Sequence, residues 1–234
     1  MNNPWTELPR TAPYVLRDDV EPIENFNRQQ STREAPSDYL IEVERAIPEP
    51  FIGNVYAASV YVLLLNPGFN AQSDPVSHSE TVFQSALFDN LDHSPREWPF
   101  YYYDPRIGPL HSGSAWWRQK TKHLAQSVSW ERLSQNMAVV EWFPYRSTKF
   151  KHGCEVPSQQ YSFNLVQSAM KRGALVVIAR SVRLWENSVP GLREYSAKLT
   201  LSSVQNTSLT PNNLKLGGEK STAAWDMLVE SASR

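Results

Sequence analysis

Only one cysteine, Cys154, occurs in the 234 residues, so no internal disulfide framework can staple this chain. No Cys/His cluster has the spacing of a zinc site, so no metal is expected. No apolar run approaches the roughly 18 residues of a membrane span, and the N-terminus carries no signal-peptide pattern. A soluble, intracellular protein is expected. A surplus of positive charge is missing as well: 23 Lys and Arg face 24 Asp and Glu, for a formal net charge of −1. Any contact with a polyanion must therefore come from a local patch. The chain also lacks a GxGxxG turn, a P-loop, a GxSxG elbow and an HExxH helix. Its five His and single Cys could supply a nucleophile and base, but nothing local pairs them. Cys154, next to Gly153, reads as structural.

What is present is apolar and aromatic. Hydrophobic residues make up 41% and aromatic residues 12%, with eight Trp. That composition and length predict one large domain with a substantial core. Flat rings fill cores, and they also serve as stacking platforms for bases.

Taken in order, residues 1–36 carry Pro4, Pro9, Pro13, Pro22 and Pro36 with no sustained period, and predict an extended arm. Ser37–Ala46 reads as a helix capped by Ser37 or Asp38 and stopped by Pro48 and Pro50. Tyr61–Leu65 is an unbroken apolar run bounded by Pro67-Gly68, the signature of a strand buried on both faces. Ser79–Leu91 predicts an amphipathic helix with Val82, Ala86, Leu87 and Leu91 on one face. Residues 92–113 predict a long loop rich in aromatics, and loops of that length are often functional. A helix over Ser114–Val128 follows. Strands are predicted at Met137–Val140, Leu175–Ala179 and Lys198–Val204, and helices at Ser158–Arg172, Arg180–Glu186 and from Glu219 to Ser231. Strands alternating with helices give an α/β chain, expected as a three-layer α/β/α sandwich over a mainly parallel four-stranded sheet. No domain boundary stands out beyond the arm, leaving 37–234 as a single domain.

Three strand ends carry polar groups: Asn66, Glu141 and Thr210. In open α/β sheets ligands bind at the carboxyl ends of strands. Asn66-Pro67-Gly68 is equally well read as a plain tight turn.

The stretch Asn66-Pro67-Gly68-Phe69 after a buried strand resembles the first motif of the uracil-DNA glycosylase superfamily, most closely its mismatch-specific and single-strand-selective branches. Thr210-Pro211-Asn212-Asn213-Leu214 is similar to a degenerate second motif, a His-Pro-Ser-Pro-Leu or Asn-Pro-Ser-Gly-Leu loop. Glu141 stands where members of that family place a base-reading Asn. These matches cover about fifteen residues, and the α/β/α layout extends them over 55–232. The resemblance implies a monofunctional DNA glycosylase that needs no cofactor. Asn66 would orient the hydrolytic water, Thr210 would assist the departing base, and Phe69 would stack on that base, although Phe69 also reads as core. Leu214 would fill the space a flipped base vacates, with Asn212, Asn213 and Lys215 beside it on the DNA. Arg118 and Lys122 are further candidate DNA contacts, with Lys120, Lys149 and Lys151 in the same pool.

The departures bear on the substrate. Thr210 replaces a His and offers one hydroxyl donor without positive charge. A carboxylate at Glu141 only accepts hydrogen bonds, which mismatches uracil O4 and suits the N4 amine of a cytosine-type base. Glu141 is otherwise a solvated strand-end charge, or the partner of Arg146 or Arg180. If Glu141 faces the base, with Phe143 beside it, the target is a modified cytosine. Glucosylated hydroxymethylcytosine in phage DNA is then the best match, since some antiviral members of the superfamily remove it. The 92–113 loop, with Tyr101, Tyr102, Tyr103 and Asp104, has the composition to hold the sugar, with Tyr103 and Asp104 as base-side contacts. Uracil or mismatch repair and a catalytically inactive reader of modified DNA are the alternatives, and a free-nucleoside hydrolase is a third. The expected partner is single- or double-stranded DNA carrying a modified base, bound by a cytoplasmic monomer of bacterial or phage-related origin.

Overall fold

Prolines do not keep the N-terminal stretch extended. Val20–Gln30 forms a helix, α1, whose Pro22 falls in the first turn, where the missing N–H would be unbonded in any case. Trp5, Ile23 and Phe26 are buried. The expected arm is thus folded chain. The computed structural model describes residues 2–31, 37–108, 111–151, 153–203 and 205–234. Pro36, Pro109, Leu110 and Val204, which belong to segments read above, lie outside the described residues.

The chain divides into two compact units. The first comprises Met1–Pro50, Leu65–Ser94 and Glu141–Ser162. Besides α1 it holds a short helix α2 (Asp74–Ser77) and α3 (Thr81–Leu91). The buried face of α3 is Phe83, Ala86, Leu87 and Leu91, while Val82 is 51% exposed. The face is therefore rotated from the one read in the sequence. At the centre of the unit, Tyr145 Oη donates to Asp19 Oδ2 at 2.6 Å and accepts from Leu16 N at 3.2 Å. Ser158 N donates to Asp19 Oδ1 at 3.1 Å, and the Trp5 ring leans on Tyr145 at 5.8 Å. The predicted helix over Ser37–Ala46 does not form, and turns replace it. Its backbone bonds go to distant partners: Glu42 N donates to Arg146 O, Ile41 N to Asn27 Oδ1, and Val43 O accepts from Tyr14 N. Tertiary partners override a local helical preference here.

The second unit comprises Phe51–Leu64, Pro95–Val140 and Phe163–Arg234 and holds the sheet. Its strands are β1 (Phe51–Ile52), β2 (Val60–Leu64), β3 (Met137–Glu141), β4 (Leu175–Ile178), β5 (Lys198–Leu201), β6 (Leu214–Leu216) and β7 (Glu219–Lys220). Their order is β1-β3-β2-β4-β5-β6-β7. The four strands read from the sequence are the adjacent inner ones, and the sheet is wider by three than expected. Pairing is parallel for β2 with β4 and β4 with β5, and antiparallel for β1 with β3 and through β5, β6 and β7. All five residues of β2 and of β3 are buried, as apolar runs covered on both faces should be. The last helix begins at Thr222 rather than Glu219, because Glu219–Lys220 closes a hairpin with β6. The remaining helices are α4 (Ser112–Val128), α5 (Trp130–Asn136), α6 (Gln159–Lys171), α7 (Val182–Ser188) and α8 (Thr222–Ser233). Within the second unit α8 packs on β2, β4 and β6 and against α4 and α5. The chain is mixed α/β, with a sheet that is parallel at its centre. No helix of the described residues is long and apolar enough to cross a membrane.

The sheet's edge depends on one glycine. Gly53 has φ +93, and a Cβ there would meet Met137 O at 2.5 Å. Gly53→Ala should cost about 2–3 kcal/mol through strain and overpacking, read as a lower urea midpoint at unchanged m. Gly217→Ala, at φ +61 with open space around it, should cost about 1 kcal/mol from backbone conformation alone.

His93 gives a pH prediction. Burial pushes its pKa down to about 4 against the opposing pull of Asp92, and its Nε2 is hydrogen-bonded to Tyr161 Oη at 2.6 Å. The unfolded chain takes up this proton near pH 6.5, while the folded chain refuses it until about pH 4. The unfolded state therefore binds more protons between those values, and stability is lost as pH falls through that window. His93→Gln should flatten the decline in denaturation midpoint between pH 6.5 and 4, and an identical decline in the variant would exclude this group.

Candidate active site

β2 runs straight into Leu65 and Asn66. β2 lies between β3 and β4 in the sheet, and the carboxyl ends of strands are the usual ligand positions of open α/β sheets. The residues that follow belong to the first unit.

There the Asn66 side chain is fixed by its amide nitrogen. Nδ2 donates to Ser147 Oγ at 3.0 Å and to Ser147 O at 3.3 Å. A backbone carbonyl can only accept, so the amide nitrogen must face Ser147 and Oδ1 must face away. Asn66 is half-buried, and its carbonyl oxygen accepts nothing from the described residues. A pre-oriented neutral acceptor is suited to holding a water by one of its protons.

The loop behind Asn66 is clamped by a buried guanidinium. Arg146 Nη1 donates to Pro67 O at 3.2 Å and Gly68 O at 3.3 Å, and Nε donates to Ile47 O at 3.1 Å. Glu49 Oε2 lies 3.0 Å from Nη2, and Asp74 Oδ2 lies 3.8 Å from Nη1. Asp74 also accepts from Asn70 N at 2.9 Å, and His78 Nδ1 accepts from Ile47 N at 2.9 Å. Gly68 takes φ +69, a conformation glycine adopts without strain. The Asn-Pro-Gly bend is thus an anchored loop whose carbonyls have been turned onto one cation.

Glu141 is 2% exposed, which overturns its reading as a solvated strand-end charge. Its N–H donates to Pro50 O at 2.9 Å, and Phe143 N donates to Leu65 O at 2.7 Å. Arg146 is ion-paired to Glu49 and Asp74. Phe69 is buried, with the Arg45 guanidinium 4.9 Å above its ring. Phe143 is buried among aromatics, with Tyr145 at 5.9 Å and Phe150 at 6.5 Å. Core packing is what the structure shows for both rings.

The second unit holds the other predicted residues, and most of them are structural. Tyr101–Tyr103 forms a 3-10 turn with all three rings buried. Tyr103 stacks on Phe100 at 4.5 Å and bonds Thr121 Oγ1 at 2.7 Å. Asp104, also buried, is held by Arg106 at 2.7 Å and Arg96 at 3.5 Å, and these partners keep its carboxyl below the usual range despite burial. The expected sugar pocket is therefore core, because rings and carboxylate satisfy one another. Leu214 pairs with Leu201 in the sheet and is fully buried, so it is no protruding wedge. Asn213 is buried and bonds Ser203 N, Asn206 O and Ser208 O. Arg118 donates to Tyr103 O and lies 4.8 Å from the Trp130 ring. Thr210 and Lys215 are half-buried, and Asn212 and Lys122 are exposed. A cavity of about 390 Å³ in this unit is lined by Trp98, Glu131, Arg132 and Asn136, among others, and none of the predicted residues lines it. Among the described residues no group of three His, Cys, Asp or Glu is placed to hold a metal ion.

Arg146, Glu49, Asp74 and Ser147 were not foreseen as parts of the site. The partner of Asn66 lies 81 positions away, and no local spacing announces such a pair. No protein-family model matches this chain, no curated protein is significantly similar to it, and no solved structure matches it.

Removing the clamp should be severe. Arg146→Met leaves two buried carboxylates without their cation and should cost about 3–5 kcal/mol. Adding Glu49→Gln should recover part of that loss. Chemical denaturation of the single and double variants measures both, and additive losses would contradict the coupling.

Proposed function

We propose that this chain is a monofunctional DNA glycosylase that hydrolyses the N-glycosidic bond of a flipped-out modified pyrimidine and leaves an abasic site. The observation that carries the reading is the orientation of Asn66: its nitrogen is committed to Ser147 and its oxygen is directed away as an acceptor. Breaking an N-glycosidic bond develops an oxocarbenium-like sugar, so a weakly nucleophilic water suffices if it is positioned. A neutral amide can do that without being protonated itself. The resemblance of Asn66-Pro67-Gly68-Phe69 to the first motif of the uracil-DNA glycosylase superfamily supports the same role.

For the base, the support is Glu141. A carboxylate in the interior accepts and does not donate unless protonated, which favours the amine edge of a cytosine-type base over uracil. Glucosylated hydroxymethylcytosine in phage DNA is the first target of this reading, as an antiviral activity, and uracil is the second. Phe69 would take part only after Arg45 leaves its ring. A catalytically inactive reader of modified DNA is the competing reading. It draws on the buried Leu214, which leaves the family's wedge position without a projecting side chain, and on the uncharged Thr210.

DNA panels containing uracil, hydroxymethylcytosine or glucosylated hydroxymethylcytosine, incubated and then treated with alkali, decide between these readings. Strand breaks at one modified base are expected, with Asn66→Ala slower by about 10²–10³. Breaks at uracil alone would transfer the proposal to repair. Binding without breaks on any substrate would establish the reader.

A further inference from the structure

Two hydrogen bonds lead from Asn66 to a basic segment whose Lys149 and Lys151 stand in the pool of candidate DNA contacts without an assigned place. Ser147 Oγ, which accepts from Asn66, donates to Lys149 O at 3.1 Å. Lys149 N donates in turn to Asp38 O at 2.8 Å. In the following residues Lys149 and Lys151 are exposed while Phe150 between them is half-buried, its ring meeting Trp142 edge-on at 6.0 Å. The ring thus anchors the segment and leaves the two ammonium groups outside.

Both ammonium groups are held loosely. Lys149 Nζ is 2.7 Å from Asp38 Oδ2, with the two side chains 62% and 50% exposed. Exposed pairs of this kind contribute little to stability and exchange readily. Lys151 Nζ hovers 5.5 Å from the Tyr39 ring and 3.4 Å from Gln30 Oε1. Two other cations beside the Asn66 loop are occupied: Arg146 is buried in its clamp, and Arg45 lies on Phe69 and reaches Ala71 O.

We propose that Ser147–Lys151 grips the phosphodiester backbone of the DNA strand whose base is offered to Asn66, with Lys149 exchanging Asp38 for a phosphate. This rests on the glycosylase reading. A nucleotide whose sugar meets the Asn66 water carries its phosphates one sugar away, and Ser147 ties that position directly to the lysine-bearing backbone. A positive track with a ring beside it, here Tyr39, is how unpaired strands are held.

The test is equilibrium binding of the full chain to an unmodified single-stranded oligonucleotide, by fluorescence anisotropy between about 50 and 200 mM salt. Lys149→Gln/Lys151→Gln should flatten the log–log salt slope by about 1.4, at about 0.7 per lost contact on a single strand. Asp38→Asn should tighten binding at low salt, a gain that damage to the fold would not produce. Lys171→Gln, an exposed lysine of α6, should leave the slope unchanged. An unaltered slope in the double variant, or no binding by the wild type, overturns the proposal. Base release is scored separately on the panel above. A lysine-dependent slope with no base released upholds this surface and rejects excision, and release with an unaltered slope does the reverse.

Discussion

The interaction on which the first unit depends is the buried Arg146 guanidinium. Desolvating a cation is expensive, and the expense is offset only when nearly every donor finds a partner in good geometry. Arg146 reaches Ile47, Glu49, Pro67, Gly68 and Asp74, drawn from three separate stretches of chain. That requirement fixes the course of the loop after β2. The loop's carbonyls face inward onto the cation, and the next residue along, Ser147, is delivered to the amide of Asn66. The same side chain thus sets the backbone of Pro67-Gly68 and, through its neighbour, the rotamer of Asn66.

Fixing the amide by its nitrogen has a chemical consequence. A free asparagine can present either a donor or an acceptor, and the two ends differ little in shape. Two acceptors on Ser147 remove that choice. What is left outward is an oxygen with lone pairs and no ionisable proton, so its ability to hold a water does not titrate near neutral pH.

The inner strands were legible because burial on both faces forces an unbroken apolar run, and Val60–Leu64 and Leu175–Ile178 have no other use for one. α4, α6 and α8 were legible for a similar reason, with boundaries shifted by a few residues. Features set by distant partners were not legible. Ser37–Ala46 has helical composition, but its donors are claimed by Arg146 O and Asn27. Tyr101–Asp104 has the composition of a binding loop, yet rings placed beside Phe100, Trp117 and Trp130 form a core. Leu214 fits a short motif by identity and spacing, but its place was decided by pairing with β5, which motif spacing cannot register. That Asn66 closely follows a buried strand was legible because the apolar run of that strand ends just before it.

On the proposed glycosylase reading, the charge balance of the first unit bears on which base could leave. Among the described residues it buries Asp19, Glu49, Asp74 and Glu141 against the single guanidinium of Arg146. Such an interior receives an anion poorly, because Coulomb repulsion is weakly screened where water is excluded. It receives positive charge well, and the developing oxocarbenium sugar is positive. On the proposed reading uracil would depart as an anion, which such an interior repels. A cytosine-type base can take a proton at its ring nitrogen before it leaves and then depart neutral, and a carboxyl such as Glu141 is a chemically suitable place to share that proton. Under that proposal, the buried carboxylates are better matched to a base that is protonated on departure than to one that carries the negative charge away.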